Sequence, residues 1–138
     1  MIFRVRELLI RQRTQAINAL RGHLAEFGAV VPQGATNAGR LVALVEDRSS
    51  GLPDDARGTL EVLIGVLAQL DTQIGKLDDE IARRAKENDV ARRLMTVPGI
   101  GPLIATAISV LAPPPETFRR GRDFAAWLGL VPRQHSTG

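Results

Sequence analysis

Cysteine and tyrosine are both absent from this chain of 138 residues. No disulfide framework, thiolate zinc site or cysteine nucleophile is therefore available. Histidine occurs only as His23 and His135, too few for a His-rich metal site. Aromatic residues make up 4% of the chain, four Phe and Trp127. That is thin for a β-sandwich or for an aromatic base-stacking platform. No apolar run approaches the roughly 20 residues of a membrane span. The opening Met1–Arg6 mixes in charge too densely for a signal peptide. No membrane partner is expected, and the expected location is the cytoplasm.

What is present is ordinary soluble composition, 44% hydrophobic and 24% charged, with a net charge of +3. The distribution of charge says more than its sum. Residues 1–21 carry five Arg against Glu7, and residues 46–80 carry nine acids against three bases. Residues 82–93 turn basic again, and Arg119, Arg120, Arg122 and Arg133 follow near the end. With a pI near 10.5, this layout suggests localised contact with a polyanion. Any single run, taken alone, also reads as a solvated helix face.

The periodicity is helical throughout, and no alternating strand pattern exceeds four residues. Residues 3–27 form a helix pattern in which Leu9, Ala16, Leu20, Leu24 and Phe27 share a stripe, with Gly28 as its stop. A short apolar helix is expected over 40–47. Leu60, Leu63, Leu67, Leu70, Ile74, Leu77 and Ile81 are spaced alternately three and four apart, a heptad seam. Asp54 or Asp55 is expected to cap that helix. Gly58, Gly65 and Gly75 each weaken it by about 1 kcal/mol relative to Ala. The seam needs a partner: either the 3–27 helix folding back as an antiparallel hairpin, or a second chain, which would make a homo-oligomer through residues 60–81. Short helices over 90–95, 103–111 and 123–130 follow. The expected fold is all-α. A coiled-coil-like helical hairpin occupies residues 1–87, and a small helical module occupies 88–138.

The strongest short motif is Thr96-Val97-Pro98-Gly99-Ile100-Gly101-Pro102, set between two short helices with Ala105 in the second. This is the helix-hairpin-helix pattern. Gly99 and Gly101 permit positive φ and remove side chains, so backbone N–H groups at the second helix's start can reach a phosphate. Ile100 packs between the helices, and Ala105 lets them approach. Such a hairpin grips nucleic-acid backbone without reading bases, with Arg92 and Arg93 alongside. The competing reading is an αα-hairpin whose glycines serve geometry alone. The run Asp78-Asp79-Glu80 lies on one helix and points in several directions, which does not make a metal site. Ser136, beside His135 and near Arg133, which could bind a phosphate, lacks the G-x-S-x-G context of a nucleophile elbow.

Three blocks carry a family resemblance. RQRTQAINALRGHLAEFG over 11–28, ARRLMTVPGIGP over 91–102 and FRRGRDFAAWLGLVPRQHSTG over 118–138 resemble, in that order, DEDD-type insertion-sequence transposases related to the Piv invertase. The first block is similar to the family's linker helix, and the other two to the start of its C-terminal transposase domain. The resemblance implies DNA transposition or site-specific recombination. It places Ser136 at the nucleophile-like position and Arg133 at a phosphate contact. It also implies DNA and a structured guide RNA of the element as partners. The family's separate acid tetrad, which binds a divalent metal such as Mg²⁺, has no counterpart in these residues, so no cofactor is expected for this chain. The chain reads as a truncated transposase, inactive by itself. Two readings stay open beside it: a stand-alone nucleic-acid-binding helical protein, and a coiled-coil dimerisation module without catalysis.

Overall fold

The computed structural model describes residues 1–127 and Gly129. Their order is α1 (Ile2–Glu26), a 3₁₀ turn at Ala35–Asn37, α2 (Ala38–Glu46), α3 (Asp54–Glu87), α4 (Asp89–Leu94), α5 (Pro102–Leu111), a 3₁₀ turn at Pro115–Thr117, and α6 (Gly121–Trp127). Among the described residues there is no strand, so the all-α expectation holds. The chain divides into two compact units, Met1–Arg84 and Ala85–Gly138.

In the first unit, α1 and α3 pack against each other, and the heptad seam finds its partner within the chain. Leu60, Leu67 and Ile81 are buried, and the other four seam residues are half-buried. The core joins Leu60 and Leu67 to Ile17, Leu20 and Leu24 of α1 and to Leu41 and Val45 of α2. Two ion pairs set the register. Arg6 Nε and Nη2 donate to the two carboxylate oxygens of Asp78, and Arg13 Nε donates to Asp71 Oδ1. From one pair to the other the chain advances a heptad on α1 and retreats a heptad on α3. Only antiparallel helices do this. Each pair is partly solvated and worth at most about 1 kcal/mol, so these pairs select register while apolar burial supplies the stability.

The stripe on α1 needs one correction. Phe27 is exposed, and Ile17 is the buried residue. The cause is the way α1 ends. Gly28 adopts φ +82°, its N–H bonds Ala25 O at 3.0 Å, and the Ala29 N–H bonds Leu24 O at 3.1 Å. That double closure is the Schellman pattern. It turns the chain after Phe27 and packs Ala29 against the core in its place. The start of α3 also differs from expectation. Asp54 and Asp55 lie inside its first turn, and the Arg57 N–H bonds Pro53 O at 2.9 Å. The acids therefore complement the helix dipole from within rather than capping it.

Arg57 is buried, and sequence reasoning did not single it out. Its guanidinium donates to the carbonyls of Val45, Asp47 and Leu52 and to Ser50 Oγ. These include carbonyls that α2 leaves unsatisfied at its C-terminus. One cation thus closes the 47–52 corner, placing its charge at the negative end of a helix dipole. Beside it, Ser49 donates its N–H (2.8 Å) and its hydroxyl (2.6 Å) to Asp47 Oδ1. These bonds hold the Asp47 carboxyl below its ordinary range, with the Arg57 charge adding to the effect.

In the second unit α4 and α5 pack through small residues. Ala85, Ala91 and Ala105 are fully buried, and Leu94, Met95 and Ile100 pack around them. Asn88 caps α4, its side-chain oxygen accepting from the Ala91 N–H at 2.9 Å.

Two expected outcomes follow. Leu20→Ala should lower the unfolding free energy by about 2–5 kcal/mol in urea titrations, whereas Leu8→Ala, on the exposed side of α1, should change it by less than about 0.5 kcal/mol. Glu80 accepts hydrogen bonds from Arg83 and Arg84, which pull its carboxyl down to about 2 from 4.5. A depressed carboxylate contributes its stabilisation fully above its unfolded value and loses it as pH falls toward the folded one. A carboxyl-carbon NMR titration should therefore give a Glu80 midpoint near 2, returning to the ordinary glutamate range in the Arg83→Ala/Arg84→Ala variant.

Candidate nucleic-acid interface

The seven residues between α4 and α5, Met95–Gly101, make a hydrogen-bonded corner. The N–H groups of Thr96, Val97 and Ile100 bond Arg93 O, Leu94 O and Val97 O at 3.0–3.2 Å. The Thr96 hydroxyl also donates to Arg93 O at 2.7 Å. Ile100 reaches into the alanine contact between the helices, the role its sequence position predicts.

The two glycines do different jobs. Gly99 has φ +87°, a left-handed conformation that side chains resist. Gly101 does not use positive φ. Its backbone is extended at φ −88°, ψ 177°, which suits a residue before proline. A Cβ on Gly101 would meet nothing within 4 Å, so no contact among the described residues requires a glycine there. The start of α5 is open. Gly101 offers no side-chain cap, Pro102 stands at the first helical position, and the first intrahelical bond is Ala105 N–H to Gly101 O at 2.9 Å. The amides of Leu103 and Ile104 therefore have no intrahelical acceptor and carry the positive end of the α5 dipole.

Arg92 and Arg93 lie on the exposed surface of α4, and Arg92 pairs with Asp89 one turn back. Arg119, Arg120 and Arg122 are also exposed. The Asp123 carboxylate accepts from the Arg120 N–H at 3.1 Å, fixing the entry to α6. Arg133 and Ser136 lie outside the described residues. No group of three or more His, Asp or Glu that could hold a metal ion occurs among the described residues. The divalent metal implied by the resemblance thus has no ligand set among the described residues. No helix among them is long and apolar enough to cross a membrane.

A second feature was not foreseen. A cavity of about 610 Å³ opens between α4, the end of α5 and the 118–124 segment. Val90, Leu94, Ile108 and Ala112 line it, Phe118 and Phe124 wall it, and Arg119 and Arg120 border it. None of the corner residues 95–101 lines it. The rings form one cluster: Phe118 meets Phe124 edge-on at 5.3 Å, and Trp127 sits 6.0 and 6.1 Å from the two. Average composition concealed this, because three of the five aromatic residues fall within ten positions.

The described residues thus form an all-α structure whose second unit carries a glycine corner, an open helix start and exposed arginines. Residues 91–138 match the Transposase IS116/IS110/IS902 family, in line with the resemblance of the sequence to insertion-sequence transposases. Over 99% of its length the chain is 38% identical to a putative transposase, y4pF/y4sB, of Sinorhizobium fredii, covering 35% of that protein. It is 42% identical to a probable family 20 transposase of Pseudomonas aeruginosa over 98% of its own length and 40% of the relative's. The transposase for insertion sequence element IS1111A of Coxiella burnetii is 33% identical over 99% of the chain and 38% of the relative. The chain thus spans 35–40% of the length of these relatives. No solved structure matches it.

The contrast between the glycines is measurable. Gly99→Ala should cost about 1–2 kcal/mol by forcing a side chain into left-handed backbone. Gly101→Ala should leave the thermal unfolding free energy within about 0.5 kcal/mol of wild type.

Proposed function

We propose that this chain supplies the linker and a nucleic-acid-gripping part of an insertion-sequence transposase of the IS116/IS110/IS902 type, acting in DNA transposition. In this reading the α4–corner–α5 element is a helix-hairpin-helix that holds phosphate. The observation that carries it is Gly101. Its conformation needs no glycine and its Cβ would meet open space, yet it stands at an uncapped helix start where a close-approaching anion would be held by backbone amides. Arg92 and Arg93 supply the surrounding positive potential. Arg119, Arg120, Arg122 and Arg133 extend the contact to DNA or to a structured RNA of the element. Ser136 is the candidate nucleophile of the parent reaction, and the metal-binding acids of that reaction lie outside the described residues. Residues 1–87 act as a helical spacer whose seam packs, at least in part, against α1 within the chain.

Binding to a labelled duplex, followed by fluorescence anisotropy across a salt series, tests the reading. Non-specific dissociation constants of about 10⁻⁴–10⁻⁶ M are expected, with a log–log salt slope that changes by about 0.9 per phosphate contact. The Arg92→Ala/Arg93→Ala variant should bind all sequences more weakly and with a flatter slope. Gly101→Ala should weaken binding with no loss of fold. Equal slopes for wild type and the double variant would remove nucleic-acid contact from this corner.

A further inference from the structure

The groove between α4, α5 and the 118–124 segment has a chemistry that backbone gripping does not use. We propose that it receives a single unpaired nucleobase, with the flanking phosphates held by Arg119 and Arg120. This deepens the nucleic-acid reading above and rests on it.

Size, lining and charge carry the argument together. A cavity of about 610 Å³ lies in the range of small-ligand pockets of about 300–1,000 Å³. It accommodates a nucleotide and is far too small for a duplex. The lining is largely apolar and includes Leu94, Ile108, Phe118 and Phe124. A planar heterocycle gains by stacking on such rings in a sequence-tolerant way. A base still paired in a duplex shows only its edge and cannot enter, so the groove discriminates for unpaired nucleotides. Arg119 and Arg120 are among the lining residues and no Asp or Glu is, which matches an anionic ligand. Arginine also stacks on planar rings while binding phosphate. Ser109 adds a polar point. Its hydroxyl donates to Thr106 O at 2.9 Å, which leaves its oxygen lone pairs to accept from an exocyclic amine. An acidic apolar peptide would share the charge match but would not exploit the ring walls in the same way.

Trp127 is the only tryptophan in the chain and packs on both wall rings without lining the groove. Its emission is therefore a reporter of occupancy. The experiment uses the full chain and three forms of one duplex: fully paired, with a single bulged 2-aminopurine, and with an abasic site at the bulge. The bulged base should bind about tenfold more tightly than the abasic form, the scale of one stacked base. Its 2-aminopurine fluorescence should be quenched and Trp127 emission should shift, while the paired and abasic duplexes leave Trp127 unchanged. Phe124→Leu keeps the groove apolar but removes a wall ring, and it should erase the preference for the base without altering paired-duplex affinity. Should that variant fail to fold, the base-against-abasic comparison on wild type decides alone. Equal affinity for the base and abasic bulges, with duplex binding and its Arg92/Arg93-dependent salt slope intact, overturns the groove proposal and leaves the proposed function standing. A Trp127 shift produced equally by an acidic apolar peptide, with no response to the bulged base, overturns it in favour of a peptide groove. Absence of binding to all three nucleic acids overturns both.

Discussion

Everything in the first unit depends on the antiparallel contact between α1 and α3. A helix of 34 residues is about 50 Å long, and an isolated heptad stripe on it would leave a row of leucines in water. Burying that row against Ile17, Leu20 and Leu24 is worth about 1.5–3 kcal/mol for each fully covered side chain. The charges then distinguish this arrangement from its alternatives. α1 is basic and α3 acidic, and the heptad offset between Arg6 and Arg13 matches that between Asp78 and Asp71. A parallel arrangement or a slip by one turn would break both ion pairs at once. Modest pairs of this kind matter through what they exclude.

That pairing changes the meaning of the charge pattern. The basic start of the chain looks, by sequence alone, like part of a surface for a polyanion. In the structure Arg6 and Arg13 are engaged by acids of α3, so part of the basic–acidic–basic layout is internal complementarity. The arginines that remain outward on short elements, Arg93, Arg119 and Arg122 among them, are the ones left to face a ligand. Net charge along a sequence cannot separate the two uses, because the separation depends on which helices become neighbours.

Periodic and local features were legible, and long-range ones were not. The seam over 60–81, the stop at Gly28 and the place of Ile100 and Ala105 all follow from spacing or from a single residue's conformational preference. Arg57 could not be read, because its carbonyl partners belong to a turn whose path is fixed only once α2 meets α3. The aromatic groove escaped for a related reason. Its walls and floor come from residues about 30 positions apart, and a whole-chain percentage of aromatics averages over the one place where they gather. The difference between Gly99 and Gly101 was likewise invisible, since both are glycines in one motif and only backbone angles assign their separate tasks. Ser136 and Arg133 fall outside the described residues, so their assignment rests on family resemblance alone.

The two ends of the α1–α3 hairpin are fastened by different kinds of interaction. At the closed end Arg57 binds carbonyl groups beside a buried apolar core. Neutral acceptors and buried hydrocarbon respond little to ionic strength. At the open end the fastening is Arg6 with Asp78 and Arg13 with Asp71, partly exposed pairs that salt screens over about 3 Å at 1 M. The hairpin therefore divides its labour between two kinds of force: rising ionic strength relaxes the charge pairs that select the register, while the apolar seam, with Ile81 buried close in sequence to Asp78, keeps the helices together.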